Sequence, residues 1–146
     1  MSELDYLVVR VGDNRFGVDA ATVQDVFHPR GLTPVPTAAA EVVGILNLRG
    51  RIVTAICARR RLGMADRHDE APEPKAVGTE IGGDAYGLVV DDVEDVLRLD
   101  RADMLTTGEL PRGWEGVTEG AYRLPAGLLI ILDLPRLLAP AFAVAA

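Results

Sequence analysis

Val43-Gly44-Ile45-Leu46-Asn47-Leu48-Arg49-Gly50-Arg51-Ile52-Val53 reads as two short strands folded back across a tight turn. Residues 42–46 are an aliphatic run, Asn47-Leu48-Arg49-Gly50 supplies the turn, and residues 51–57 return to strand. The same rhythm extends toward the N-terminus. Residues 4–11 alternate and then run aliphatic, Gly12-Asp13-Asn14 is turn chemistry, and Arg15-Phe16-Gly17-Val18 completes a hairpin. Val23-Gln24-Asp25-Val26-Phe27 is a further strand with Val23, Asp25 and Phe27 on one face, stopped by His28-Pro29-Arg30-Gly31. After Pro34 and Pro36, Thr37 is placed to cap a short helical turn through Glu41.

Toward the C-terminus, residues 58–62 form a helical turn closed by Gly63, and residues 65–75, with two prolines among four acids, form the one long internal loop. Strands follow at 76–81, 86–90 and 93–99, then an irregular stretch at 105–114. Further strands are expected at 116–122 and 128–134, and Pro135-Arg136-Leu137-Leu138 starts a closing helix. About ten short strands with close turns predict an all-β sandwich or barrel. No exact repeat is visible, although 52–62 and 129–138 both run from strand into short helix.

The chain has 146 residues with 49% hydrophobic and 5% aromatic side chains, enough for one domain with an aliphatic core, 1–146. Cys57 is its single cysteine, and with only His28 and His68 beside it no zinc spacing exists, so a reducing cytoplasm fits. The acidic N-terminus shows no export signal, and residues 124–146 are too broken by proline and charge to span a bilayer. A net charge of -7 repels the nucleic-acid backbone. Locally, residues 44–61 carry five arginines and no acid, whereas 80–103 carry eight acids and two arginines. Such opposed fields belong to solvated surface, or to surfaces that steer partners.

No catalytic constellation is recognisable in the sequence, which makes catalysis the weaker reading. There is no phosphate-binding glycine pattern, so neither a cofactor nor a small-molecule substrate is expected. Cys57 in its aliphatic strand reads as a buried structural thiol, Asp91-Asp92 and Glu94-Asp95 as a solvated acidic edge, and Arg59-Arg60-Arg61 as a solvated helix face. Asp133 is expected to cap the closing helix, and Trp114 to anchor the core locally. A binding module needs only shaped surface, which favours a non-catalytic interaction protein.

Residues 43–53 closely resemble the signature of the CheW-like family of bacterial chemosensory adaptors, centred on Asn-Leu-Arg-Gly. Phe16-Gly17-Val18 and Val23-Gln24-Asp25-Val26 before it match in order and spacing, as do Gly87-Leu88-Val89-Val90-Asp91, Val93, Val96 and residues 128–138 after it. The resemblance implies two five-stranded SH3-like barrels on a shared core, with the 65–75 loop between the lobes. It also implies a non-catalytic adaptor, array-associated in the cytoplasm, that bridges the regulatory domain of a CheA-type histidine kinase and the cytoplasmic tips of methyl-accepting chemoreceptors.

By the same resemblance, Asp25 pairs with Arg49 beside a receptor-binding groove to which Val23, Val93 and Val96 belong. Gly44 and Gly87 match partner-binding positions whose partner is open. The family's usual Pro-Val-Ile-Asp-Leu is replaced by Thr54-Ala55-Ile56-Cys57-Ala58, which admits a divergent paralogue of a non-flagellar pathway or a decoy that binds one partner.

Overall fold

A computed structural model describes residues 2–105 and 113–145. Ten strands form two five-stranded sheets. Sheet A takes β1 (Glu3–Val11), β2 (Asn14–Asp19), β8 (Asp92–Asp100), β9 (Thr118–Leu124) and β10 (Gly127–Leu132) in the order β8-β1-β2-β10-β9. Sheet B takes β3 (Asp25–Phe27), β4 (Val42–Leu48), β5 (Arg51–Cys57), β6 (Lys75–Ile81) and β7 (Asp84–Val90) in the order β3-β6-β7-β5-β4. Three short helices follow strands or one another: α1 (Ala58–Arg61), α2 (Leu134–Leu138) and α3 (Phe142–Ala145).

The aliphatic runs are explained by burial on both strand faces, since alternate side chains of one strand enter different cores. Tyr6 and Val8 of β1 join Leu129 and Ile131 of β10 inside sheet A. Their neighbours Leu7, Val9, Ile130 and Leu132 enter a core shared with Ile56, Val77, Leu88 and Leu137. Leu46, Val53 and Ala55 fill the interior of sheet B. The result is two SH3-like barrels packed on a common core. Trp114 anchors this core as expected: its indole N–H donates to Leu62 O at 2.9 Å and its ring lies 5.4 Å from that of Phe16. Asp133 caps α2 by accepting from Arg136 N at 3.2 Å.

The two sheets are related by an internal two-fold that advances each strand by five. β1 corresponds to β6, β2 to β7, β3 to β8, β4 to β9 and β5 to β10. Both sheets then share one order and one parallel pair, β2 with β10 and β7 with β5. The sequence carries a faint echo: Phe16-Gly17-Val18 and Tyr86-Gly87-Leu88, then Val23-Gln24-Asp25-Val26-Phe27 and Val93-Glu94-Asp95-Val96-Leu97. The isolated bridges Thr33 to Ile45 and Leu105 to Ala121 are related in the same way.

Several expectations are corrected. The 65–75 loop does not join the lobes, because it links α1 to β6 and so stays within sheet B. It passes the end of β7, which lies between β5 and β6 in the sheet, because Cys57 of β5 stands beside Val89 and Lys75 of β6 beside Val90. The chain passes between sheets instead at the 3-10 turn Ala20–Thr22 and at Asp91. No helical turn starts at Thr37, whose φ of +64° is left-handed and follows two prolines. Cys57 is half-buried rather than buried. The last strand ends at Leu132, and the irregular stretch expected at 105–114 lies outside the described residues over 106–112.

Candidate functional site: two related grooves

Leu48 pairs with Arg51, so Arg49 and Gly50 alone make the β4–β5 turn, at φ +54° and +85°. Positive φ at both central residues is the type I′ form of a two-residue hairpin, whose twist matches that of the strands. Gly50 adopts it freely, and Asn47 Oδ1 accepts from Gly50 N at 2.8 Å to hold the loop closed. Arg49 is the strained member, at a cost of about 1–2 kcal/mol. Its side chain is 78% exposed and reaches Asp25 Oδ2 at 3.5 Å.

Asp25 opens β3 and lies across Gly78 of β6, its cross-strand partner. A β-carbon at Gly78 would fall on Asp25 Oδ1, so the bare backbone there leaves the carboxylate its place. Asp25, Phe27, Arg49, Val53 and Gly78 line a cleft of about 210 Å3. Its far rim is Arg51, whose Nη1 lies 2.7 Å from Glu80 Oε2 and whose Nη2 donates to Gly83 O at 2.9 Å. The hydrogen bond and charge of Arg51 hold the Glu80 carboxyl below its usual range.

The internal two-fold produces a second, smaller groove of about 90 Å3 at the matching place on sheet A. Glu94, Asp95, Leu97 and Leu129 stand where Gln24, Asp25, Phe27 and Val53 stand in the first. Val8, paired with Gly17 as Gly78 is with Gly87, fills the space that Gly78 leaves open. Pro125 occupies the turn position of Arg49, so the second groove has no basic turn residue. Arg15 Nε lies 2.9 Å from Glu94 Oε1, but among the described residues that oxygen accepts no hydrogen bond, which makes this a close ion contact at an acidic rim. Among the described residues the exposed large hydrophobics are Val26, Val96, Ile52 and Leu128, two pairs related by the same two-fold.

The sequence candidates are therefore distributed over both sheets. Asp25 and Arg49 meet, as expected. Val23 and Val93 both pack against the shared core, and Val96 is 56% exposed on β8, outside the Asp25–Arg49 cleft. Gly87 lies against Phe27 and Val53, where an added β-carbon would come within 3.2 Å of Phe27 Cζ. Gly44 is a packing position at a β-bulge, its φ +147° and the place of its missing β-carbon 2.6 Å from Thr33 O.

Two features escaped the sequence reading. Gly78 is the floor of the first groove. Asp91, read as part of a solvated edge, is 4% exposed and takes Arg59 Nε and Nη2 at 2.9 and 2.7 Å, Gly12 N at 2.8 Å, and Arg67 Nε at 3.3 Å. Burial alone would push its carboxyl up, but the hydrogen bonds from Arg59 and Gly12 and the two arginine charges hold it below the usual range. The arginines expected to be solvated are likewise engaged: Arg60 binds Asp66 at 3.0 Å and Arg61 donates to Leu137 O at 3.0 Å. Among the described residues no cluster of three His, Cys, Asp or Glu side chains is placed to hold a metal, and no helix is long and apolar enough to cross a membrane.

The description "CheW-like domain" matches residues 5–141. The chemotaxis protein CheW of Rhizobium meliloti is 27% identical over 135 residues, covering 89% of this chain and 84% of that protein. Protein FrzA of Myxococcus xanthus is 28% identical over 103 residues, covering 70% of this chain and 64% of that protein. The crystal structure of the scaffolding protein TtCheW from Thermoanaerobacter tengcongensis superposes with a TM-score of 0.82 at 24% identity, over 92% of this chain and 86% of that one.

Proposed function

The chain belongs to the CheW-like family, non-catalytic scaffolds of chemotaxis signalling, and on that premise we propose that it couples methyl-accepting chemoreceptors to a CheA-type histidine kinase. The observation that carries this reading is the pair of related but differently charged grooves, one on each sheet. An adaptor needs two surfaces distinct in specificity, because charge pattern sets register and rejects wrong partners while apolar contacts supply adhesion. The first groove offers a strained, exposed arginine held by an acid, and strain kept at a surface residue points to use.

In this reading the Asp25–Arg49 groove receives the cytoplasmic tip of a receptor. Val96 adds exposed apolar surface, and Val23 and Val93 support β3 and β8 from the shared core. Gly44 and Gly87 keep the first lobe closely packed for partner docking. The association with membrane arrays is made through these partners. Kinase assays test the reading: the chain stimulates autophosphorylation of a CheA-type kinase when receptor membranes are present and leaves either pairwise mixture unchanged. Stimulation of the kinase without receptors, or binding to one partner alone, contradicts it.

A further inference from the structure

The crossover from α1 to β6 has neither helix nor strand over residues 64–74, yet it is tied down at both ends. At one end Arg67 reaches the buried Asp91 carboxylate at 3.3 Å, and its Nη2 donates to Pro72 O, so one guanidinium closes the loop on itself. Arg59, already on Asp91, also donates to Ala65 O at 2.9 Å. At the other end Glu73 takes Arg30 Nε and Nη2 at 2.6 and 2.8 Å, and Pro74 O lies 3.1 Å from His28 Nδ1.

His28 and Arg30 directly follow β3. That strand has three residues, sits at the sheet edge and, among the described residues, pairs only with β6. Its start is held by Gln24 N on Gly78 O and Thr79 Oγ1 on Thr22 O. Its end runs into the segment that the crossover grips before Thr33 pairs with Ile45. The counterpart edge strand β8 has nine residues and pairs with β1 over most of its length, so it has ladder bonds enough of its own. A three-residue edge strand has few, and such elements open at low free energy unless held by something else.

We propose that residues 64–74 form a strap that positions β3, and with it Asp25, and that Arg67 is the positioning residue that fastens the strap to Asp91. Only the identity of what Asp25 serves rests on the adaptor reading. The strap itself is tested on the isolated chain, so its failure and the failure of that reading are separate results.

Hydrogen exchange of the full chain, followed over 64–74, 24–31 and 92–100, is the test. Arg67→Gln leaves the Arg59–Asp91 pair intact and is expected to speed exchange at least tenfold over both 64–74 and 24–31, with 92–100 unchanged. Arg67→Lys, which keeps a cation beside Asp91, is expected to restore most of that protection. Glu73→Gln, at the strap's other end, is expected to speed exchange at 24–31 with 92–100 again unchanged. Acceleration confined to 64–74, uniform acceleration over all three segments, or a lysine variant no better protected than the glutamine one would overturn the proposal.

Discussion

The Asp25 carboxylate rests over Gly78, in the space a β-carbon there would claim, and from that seat it meets Arg49 at 3.5 Å. The groove thus depends on a residue that has no side chain. Gly78→Ala is expected to turn Asp25 away and separate it from Arg49, because the clash falls on the free end of a side chain that can rotate. The alanine also stiffens the unfolded chain, so stability measured in urea changes by less than about 1 kcal/mol. Receptor-tip affinity, measured by titration calorimetry, falls at least tenfold. An unchanged affinity would show that the groove does not need the carboxylate where it lies.

Gly44 behaves oppositely. Its φ of +147° and the nearby Thr33 carbonyl are both backbone constraints, so Gly44→Ala has no side chain to displace. The Thr33–Ile45 bridge must give way, at a cost of about 1–3 kcal/mol in urea unfolding. Gly120, its counterpart under the internal two-fold, has a β-carbon position 2.5 Å from Leu105 O and should respond similarly.

Asp91 supplies a pH dependence with a definite sign. Its folded pKa lies below the ordinary aspartate value of 3.8, so its stabilisation is fully present above that value and is lost as pH falls through the lower folded one. Asp91→Asn should therefore destabilise the chain at neutral pH and flatten the acid limb of its stability curve below about pH 4. The neutral-pH loss is about 3 kcal/mol, near the low end for a broken buried ion pair, because Arg59 and Arg67 remain 20% and 18% exposed and can recover water. Thermal unfolding of both proteins from pH 2 to 7 checks this. Parallel curves would contradict it.

The β4–β5 hairpin was legible because aliphatic strands flanking Asn-Leu-Arg-Gly leave few other conformations, and the ten-strand rhythm followed from turn spacing. The internal two-fold was not. Val23-Gln24-Asp25-Val26-Phe27 and Val93-Glu94-Asp95-Val96-Leu97 share their pattern, but the resemblance is faint, and what the fold repeats is pairing order rather than side chains. The 65–75 loop was misplaced because proline and acid content marks a loop without saying which strands it joins. Asp91 was misread for a related reason. Its neighbours in sequence are acids, while the arginines that neutralise it come from 32 and 24 positions earlier, Arg59 and Arg67. Gly78 carried no signal, since a groove floor is defined by what lies across the sheet.

The Arg49–Asp25 pair is an exposed contact and contributes about 0–1 kcal/mol to folding. Arg49→Ala, which also replaces a residue held at positive φ, should leave the protein folded, with an unfolding midpoint close to that of the native chain. Its effect is expected in binding, which makes it a clean probe of the first groove.

The most direct measurement is therefore a comparison of what the native chain and Arg49→Ala retain from detergent-solubilised membranes and cytoplasm of the source cells, both proteins having been shown folded. The account predicts that the native chain holds a CheA-type kinase and methyl-accepting chemoreceptors, and that Arg49→Ala keeps the kinase and loses the receptors. A folded native chain that retains neither, or a variant that retains both as well as the native chain does, would contradict it.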